Sequence, residues 1–279
     1  MANDLKNLHL AFIGCGVMGE SMIAGLLRKD LVDPKQISAS HPRESRRNEL
    51  NEKYGIAVFE HNAEAAKSVA GNENSAVIVC VKPQRLTKVL NDLSGVLSLN
   101  QLVMSIVAGA RIEHLAEELG TAKVVRAMPN TPSQIGAGIT AWTCTEAVVE
   151  SERAHVREIL AALGKELFVE TENMIDMATS LSATGPTYIF MVMEALTDAG
   201  VHLGFSRDMA KELVQETMLG SVKFAMESHK HPAELRNMVT SPGGTSAEAI
   251  YQMEKGTLRT VLSKAVYAAY KRAVELGKK

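Results

Sequence analysis

The chain has 279 residues, 46% hydrophobic and 22% charged, with 30 basic against 32 acidic side chains for a formal charge of −2. That is enough apolar material for one large or two ordinary domains, and it excludes a disordered or collagen-like polypeptide. The near-neutral balance and 4% aromatic content speak against a nucleic-acid binder. No apolar run reaches bilayer length, since Tyr188–Met193 stops at Glu194, and three cysteines without a CxxC pair make neither a disulfide framework nor a zinc site.

In chain order, a polar opening stretch, Met1–Asn7, lacks the apolar core of a signal peptide and leads into an apolar strand at Leu8–Ile13. Further strands are predicted at Gln36–Ser40, Ser75–Val81, Leu102–Val107, Lys123–Ala127, Gly138–Thr143 and Leu167–Glu170. Near-continuous apolar strands imply burial on both faces, hence a mostly parallel sheet with helices on each side. From Asn173 onward the pattern is helical, with helices predicted over Tyr188–Ala199, Met209–Met226 and Leu258–Leu276. The predicted division is residues 1–165 as an α/β dinucleotide-binding domain and 166–279 as an all-helical domain. Those helices carry more apolar face than they can cover alone, which calls for a helical partner, most simply a second copy of the chain. The expected setting is the cytoplasm, with no membrane and no nucleic-acid partner.

Gly14-Cys15-Gly16-Val17-Met18-Gly19 is a GxGxxG between a predicted strand and a predicted helix at Glu20–Lys29. Gly14 permits the tight turn, Gly16 leaves no side chain between backbone and a pyrophosphate, and Gly19 lets the helix approach the sheet. The amides opening the helix, at Val17 and Met18, face the anion. The next strand ends in Ser40-His41-Pro42-Arg43, without the acid that would hold a ribose hydroxyl. Ser40 and Arg43, with Arg46 and Arg47 nearby, predict a 2′-phosphate and so NADP(H) over NAD(H). Val81-Lys82-Pro83, Ala108-Gly109 and Asn130 follow later strands, where a nicotinamide should sit. Asn130 is suited to hold a carboxamide, while Lys82 reads either as a solvated side chain or as a catalytic base.

In the second half, Ser241-Pro242-Gly243-Gly244-Thr245-Ser246 joins two helical stretches, and Thr245–Glu248 has the form of a capping box. It reads equally as an ordinary turn or as an anion site whose free amides take a carboxylate. Ala183-Thr184-Gly185-Pro186 opens another helix. Glu227, His229 and His231 have weak metal spacing and read as a solvated loop, so no metal is expected.

Together, FIGCGVMGESM (12–22), VKPQ (81–84), SIVAGARIEHL (105–115), VRAMPNTP (125–132), ATGPTY (183–188) and TSPGGTS (240–246) carry a resemblance, over the full length, to the pyrroline-5-carboxylate reductases. These enzymes reduce a cyclic imine to L-proline with NAD(P)H. The resemblance implies an N-terminal Rossmann-type domain, a C-terminal helical dimerisation domain in an interlocked homodimer that assembles further in some members, and NADP(H) with NAD(H) as a second cofactor. It implies that the imine lies at the dimer interface, its carboxylate on Ser241, Gly243, Gly244, Thr245 and Ser246, and that Asn62 lies near the adenosine. Ser246 takes the place of a family threonine whose hydroxyl contacts the imine nitrogen; serine keeps the hydroxyl and loses the methyl that fixes its rotamer. Ser182-Ala183-Thr184-Gly185-Pro186 stands where SGSGP is common. A β-hydroxyacid dehydrogenase shares the two-domain plan but needs a lysine after the junction, and Leu181–Ala210 contains none. A regulatory paralogue would keep the fold without turnover; cofactor oxidation with and without the imine separates the three readings.

Overall fold

The computed structural model describes residues 4–70, 72 and 74–277. Residues 1–3 of the polar opening stretch and 278–279 of the helical half lie outside the described residues. The first half forms eight strands, β1 (His9–Ile13), β2 (Ile37–Ser40), β3 (Ala57–Phe59), β4 (Ser75–Val79), β5 (Leu102–Ser105), β6 (Val124–Met128), β7 (Gly138–Cys144) and β8 (Gly164–Phe168). They make one sheet in the order β3-β2-β1-β4-β5-β6-β7-β8. Every pairing is parallel except β6 with β7.

The helices of this half are α1 (Val17–Arg28), α2 (Glu44–Tyr54), α3 (Asn62–Ala70), α4 (Leu86–Leu93), α5 (Ile112–Leu119), α6 (Glu150–Ala161) and α7 (Glu172–Ala178). Strand alternation sorts the core into two layers. Leu10, Phe12 and Ile78 face Met22 and Leu26 of α1 and Ile159 of α6. Ala11, Ile13, Val77 and Val79 face Val69 of α3, Leu90 of α4 and Leu115 of α5. Each large side chain so buried contributes about 1.5–3 kcal/mol. This double burial is why the central strands read as unbroken apolar runs.

Strand order reverses between β1 and β4, whose neighbours are otherwise consecutive on each side. Ile13 pairs with Ser40 of β2 and with Val79 of β4, so the three carboxyl ends finish level. That level crevice is where an open α/β sheet receives its ligand.

The remaining helices are α8 (Gly185–His202), α9 (Arg207–Ser228), α10 (Pro232–Met238), α11 (Thr245–Lys255) and α12 (Leu258–Leu276). The chain separates into two compact units, Met1–Thr184 with Ala269–Lys279, and Gly185–Ala268. The expected division at 165/166 thus falls inside β8, which pairs with β7 through Gly138↔Gly164 to Trp142↔Phe168. β8 begins before the run expected at 167–170 and holds Lys165 and Glu166. Glu166 accepts the indole N–H of the buried Trp142, and Phe168 meets that ring edge-on with centroids 4.9 Å apart. Among the described residues of 185–268, Ala210 alone is buried. Met191 is 65% exposed and Met226 59% exposed. The helical unit therefore has almost no interior of its own, as its apolar periodicity predicts for a surface that needs a partner.

Candidate active site

The glycine turn sits at the head of the crevice. Gly14 has φ +74, and a Cβ there would lie 2.0 Å from Val81 Cγ1, so only glycine fits. Gly16 is the N-cap of α1, and a Cβ on it would meet nothing closer than the Gly14 carbonyl at 3.9 Å. The space above Gly16 is open, and the first-turn amides at Val17, Met18 and Gly19 precede any intrahelical acceptor. Gly19 faces inward, where a Cβ would come within 2.8 Å of Cys80 Sγ and 3.2 Å of Cys15 Sγ. Burial pushes the Cys15 thiol up to about 12, so the sulfurs beneath the turn are packing groups and not thiolates. These features fit a dinucleotide: a backbone cradle of free donors that a side chain at 16 would fill.

Ser40 does not serve as read from the sequence. It is fully buried, its hydroxyl accepting from Gly14 N–H at 3.0 Å and donating to Asn62 Oδ1 at 2.7 Å. The close end-to-end register of β1 and β2 puts it under the glycine turn, so it holds that turn and Asn62 and offers no proton to an anion. Asn62 opens α3 and also donates to Asp92 Oδ2 at 2.9 Å.

The three arginines separate by their partners. Arg46 pairs with Glu20 and Glu49, and Arg47 with Glu60 and the carbonyls of His41 and Pro42. Arg43 is exposed and has no carboxylate partner among the described residues. It caps the start of α2, and its N–H donates to His41 Nδ1 at 3.2 Å. Burial, then the neighbouring Arg43, pull the His41 imidazole below its usual range, which keeps it neutral at physiological pH.

Val81, Lys82 and Pro83 lie in the loop after β4, which ends at Val79, short of the expected Val81. Lys82 is exposed and starts the short 3-10 turn Pro83–Arg85. Ala108 and Gly109 follow β5. Gly109 has φ +78, and a Cβ there would lie 2.7 Å from the backbone of Leu276, the last residue of α12. A cavity of about 300 Å³ opens beside this loop, lined by Pro83, Thr87, Ala108, Arg111 and Leu276.

Asn130 follows β6, but its amide is engaged: Oδ1 accepts from Ile139 N–H at 3.0 Å, and Nδ2 lies 3.4 Å from Ser182 Oγ. The antiparallel return of β7 brings Ile139 to it, so the side chain pins the loop, and only the remaining Nδ2 proton is open to a ligand. Ser182 belongs to a π-helical turn, Thr179–Ala183, ahead of α8. In it the Thr184 N–H and hydroxyl both reach the Thr179 carbonyl at 2.9 Å. Such turns recur at functional sites.

Sequence reasoning missed a group below these loops. Arg126 on β6 is fully buried and donates to Glu172 at 2.7 Å and Asp176 at 2.6 Å on α7, with Arg111 3.2 Å from Asp176. The partners are far apart in sequence, and the one available signal was an arginine in the middle of an apolar strand.

In the helical unit, the 241–246 turn has Gly243 at φ +69, the left-handed region. Gly244 is the N-cap of α11, its carbonyl accepting from Ala247 and Glu248, and the Gly244 N–H donates to the Ser241 carbonyl. The expected capping box therefore does not form. The helix starts one residue early, Thr245 and Ser246 become its first two residues, and Glu248 accepts from Gln252 instead. The Thr245 and Ser246 amides have no acceptor among the described residues. His231 caps α10 and His229 ends α9 in a left-handed turn. No cluster of three or more metal-ligating side chains occurs among the described residues.

The fold and the glycine turn define a two-part nicotinamide-dinucleotide oxidoreductase. Residues 172–276 match the family described as pyrroline-5-carboxylate reductase dimerisation, and residues 9–109 that described as NADP oxidoreductase, coenzyme F420-dependent. The pyrroline-5-carboxylate reductase of Synechocystis is 37% identical over 98% of this chain and 100% of its own. The solved structure of the Coxiella burnetii enzyme superposes with a TM-score of 0.86 at 35% identity, covering 99% of this chain and 100% of that one. The Plasmodium falciparum enzyme, solved with NADP bound, gives 0.88 at 29%, covering 98% and 99%. The chain belongs to the pyrroline-5-carboxylate reductase family. It is an oxidoreductase and a homo-oligomer, and no helix among the described residues is long and apolar enough to cross a membrane.

Proposed function

We propose that this chain reduces Δ1-pyrroline-5-carboxylate to L-proline, the crevice loops holding the cofactor and the 241–246 turn holding the substrate. The pyrophosphate is held by Gly14, Gly16 and the Val17–Gly19 amides, the 2′-phosphate by Arg43, and the adenosine beside Asn62. The loops at Val81–Pro83, Ala108–Gly109 and Asn130 form the nicotinamide end. When bound, the dihydronicotinamide supplies a hydride to the imine carbon.

The Thr245 and Ser246 amides and the positive end of α11 neutralise the substrate carboxylate and so orient the ring. The Ser246 hydroxyl accepts from the protonated imine nitrogen. That iminium is already electrophilic and carries the proton the amine product keeps, so no strong general base is needed. Lys82, exposed on its loop, is left as a solvated contact.

The carrying observation is the pair of unsatisfied amides that follow a left-handed glycine at the start of α11. The exposed apolar faces of the helical domain support homodimerisation through it, and the family resemblance supports further assembly of dimers. Three free cysteines, two of them buried, suit a reducing cytoplasmic setting.

Steady-state kinetics with both substrates varied tests the turn. Ser246→Ala should lower kcat by about tenfold to a hundredfold if the hydroxyl acts in the transition state. Gly243→Ala, strained at its positive φ, should raise the imine KM and leave NADPH binding alone. Wild-type kinetics for both variants would remove the turn from the site.

A further inference from the structure

Four charged side chains beneath the crevice join the segments assigned above to the nicotinamide. Arg126 is fully buried in β6, four residues before Asn130. Its two terminal nitrogens reach Glu172 Oε1 at 2.7 Å and Asp176 Oδ1 at 2.6 Å. Glu172 Oε1 also accepts from Ile112 N–H at 2.9 Å, fixing the start of α5 three residues beyond Gly109. Arg111 adds its own nitrogen to Asp176 Oδ2 at 3.2 Å. α7, which bears both acids, runs straight into the π-helical turn whose Ser182 meets Asn130. One guanidinium thus ties the loop after β5, the loop after β6 and the π turn to a single point.

Such a group is not there for stability alone, because an apolar side chain of the same volume serves a core about as well as a buried ion pair. What the planar fork adds is direction: two fixed bonds that allow one placement of α7 relative to β6.

We propose that Arg126 is a positioning residue for hydride transfer. Through Glu172 and Asp176 it sets the Ala108–Gly109 and Asn130–Ser182 segments at the distance the nicotinamide and imine require. Its full burial keeps it out of contact with either reactant. The proposal rests on the assignment of those two loops to the nicotinamide, so its test examines the assignment separately.

The experiment uses the full-length assembled enzyme as Arg126→Lys, which keeps the charge and loses the fork, and as Glu172→Gln, on a partly exposed side chain. Asn130→Ala serves as the probe of the loop assignment. NADPH affinity is measured by fluorescence titration, and NADPH oxidation is followed in a single turnover at saturating imine. The expected result for both network variants is an NADPH Kd within about threefold of wild type and a single-turnover rate constant lower by about tenfold or more, at full amplitude.

A purely structural role would lower the amplitude, the fraction of competent molecules, and leave the rate constant unchanged; that result overturns the proposal, as does failure of both variants to fold. If Asn130→Ala slows the step while both network variants react at the wild-type rate, the loop assignment stands and the positioning role falls. If all three react at the wild-type rate, both fall.

Discussion

Gly16→Ala separates the fold of the glycine turn from its function. The backbone at Gly16, φ −84 and ψ −158, is open to alanine, and the added methyl meets no protein atom closer than 3.9 Å. Alanine is a poorer N-cap than glycine by about half a kcal/mol, and the gain from a less flexible unfolded chain is of similar size. Stability should therefore hold to within about 0.5 kcal/mol.

The methyl nevertheless projects into the space above the first-turn amides. Loss of one charge-assisted hydrogen bond to the pyrophosphate costs about 1.5–3 kcal/mol, so the NADPH Kd should rise about tenfold to over a hundredfold. Gly19→Ala provides the opposite signature, because its methyl would lie 2.8 Å from Cys80 Sγ in a sealed core. That variant should lose about 1–3 kcal/mol of stability. Thermal melts with fluorescence titration of NADPH read both quantities. An unaltered Kd for a well-folded Gly16→Ala enzyme would refute the placement of the pyrophosphate on this turn.

Arg43→Ala should weaken NADPH by about 1–3 kcal/mol and leave NADH unaffected, since its partner is the 2′-phosphate alone; equal weakening of both cofactors would contradict that role. The Glu20 carboxyl is opposed by burial, but hydrogen bonds from Lys53, Arg46 and Tyr54 outweigh it and hold the pKa at about 2, below its usual 4.5. Its contribution to stability is therefore complete above pH 4.5 and lost as the pH falls toward 2. Glu20→Gln should flatten the pH dependence of urea unfolding within that window, and an unchanged slope would count against the Glu20 cluster.

The parts of the fold that the sequence exposes are those with one dominant physical cause. β1, β4 and β5 are buried on both faces and read as apolar runs, and α12 keeps its helical period for its whole length. β3 escapes because one exposed and two half-buried residues carry no period, and β8 is displaced because Lys165 and Glu166 interrupt its apolar character. The glycine turn was legible because its spacing falls between an apolar strand and a helix; Gly14 and Gly19 answer steric demands of the fold, and Gly16 leaves the space above the helix start open. The free polar groups expected of Ser40 and Asn130 are engaged for a common reason: tertiary partners take their hydrogen-bond capacity, Gly14 and Asn62 for Ser40, Ile139 and Ser182 for Asn130. The start of α11 moved because Gly244, freed of a side chain, took the cap position that Thr245 matched by pattern. Arg126 is the extreme case, its partners lying 46 and 50 residues away.

Ala210, alone in being buried among the described residues of 185–268, makes maturation of this enzyme a meeting of chains. The sheet unit, which takes in the end of α12 from Ala269, has its interior within one chain. With the proposed homodimerisation, the interior of the helical half is supplied by another molecule, and its completion depends on chain concentration. Dilution should then lower catalysis and helical content together, leaving Met191, Phe224 and Tyr251 open to whichever apolar surface arrives first. A cell that makes two closely related chains at once would fill that interior with hybrids.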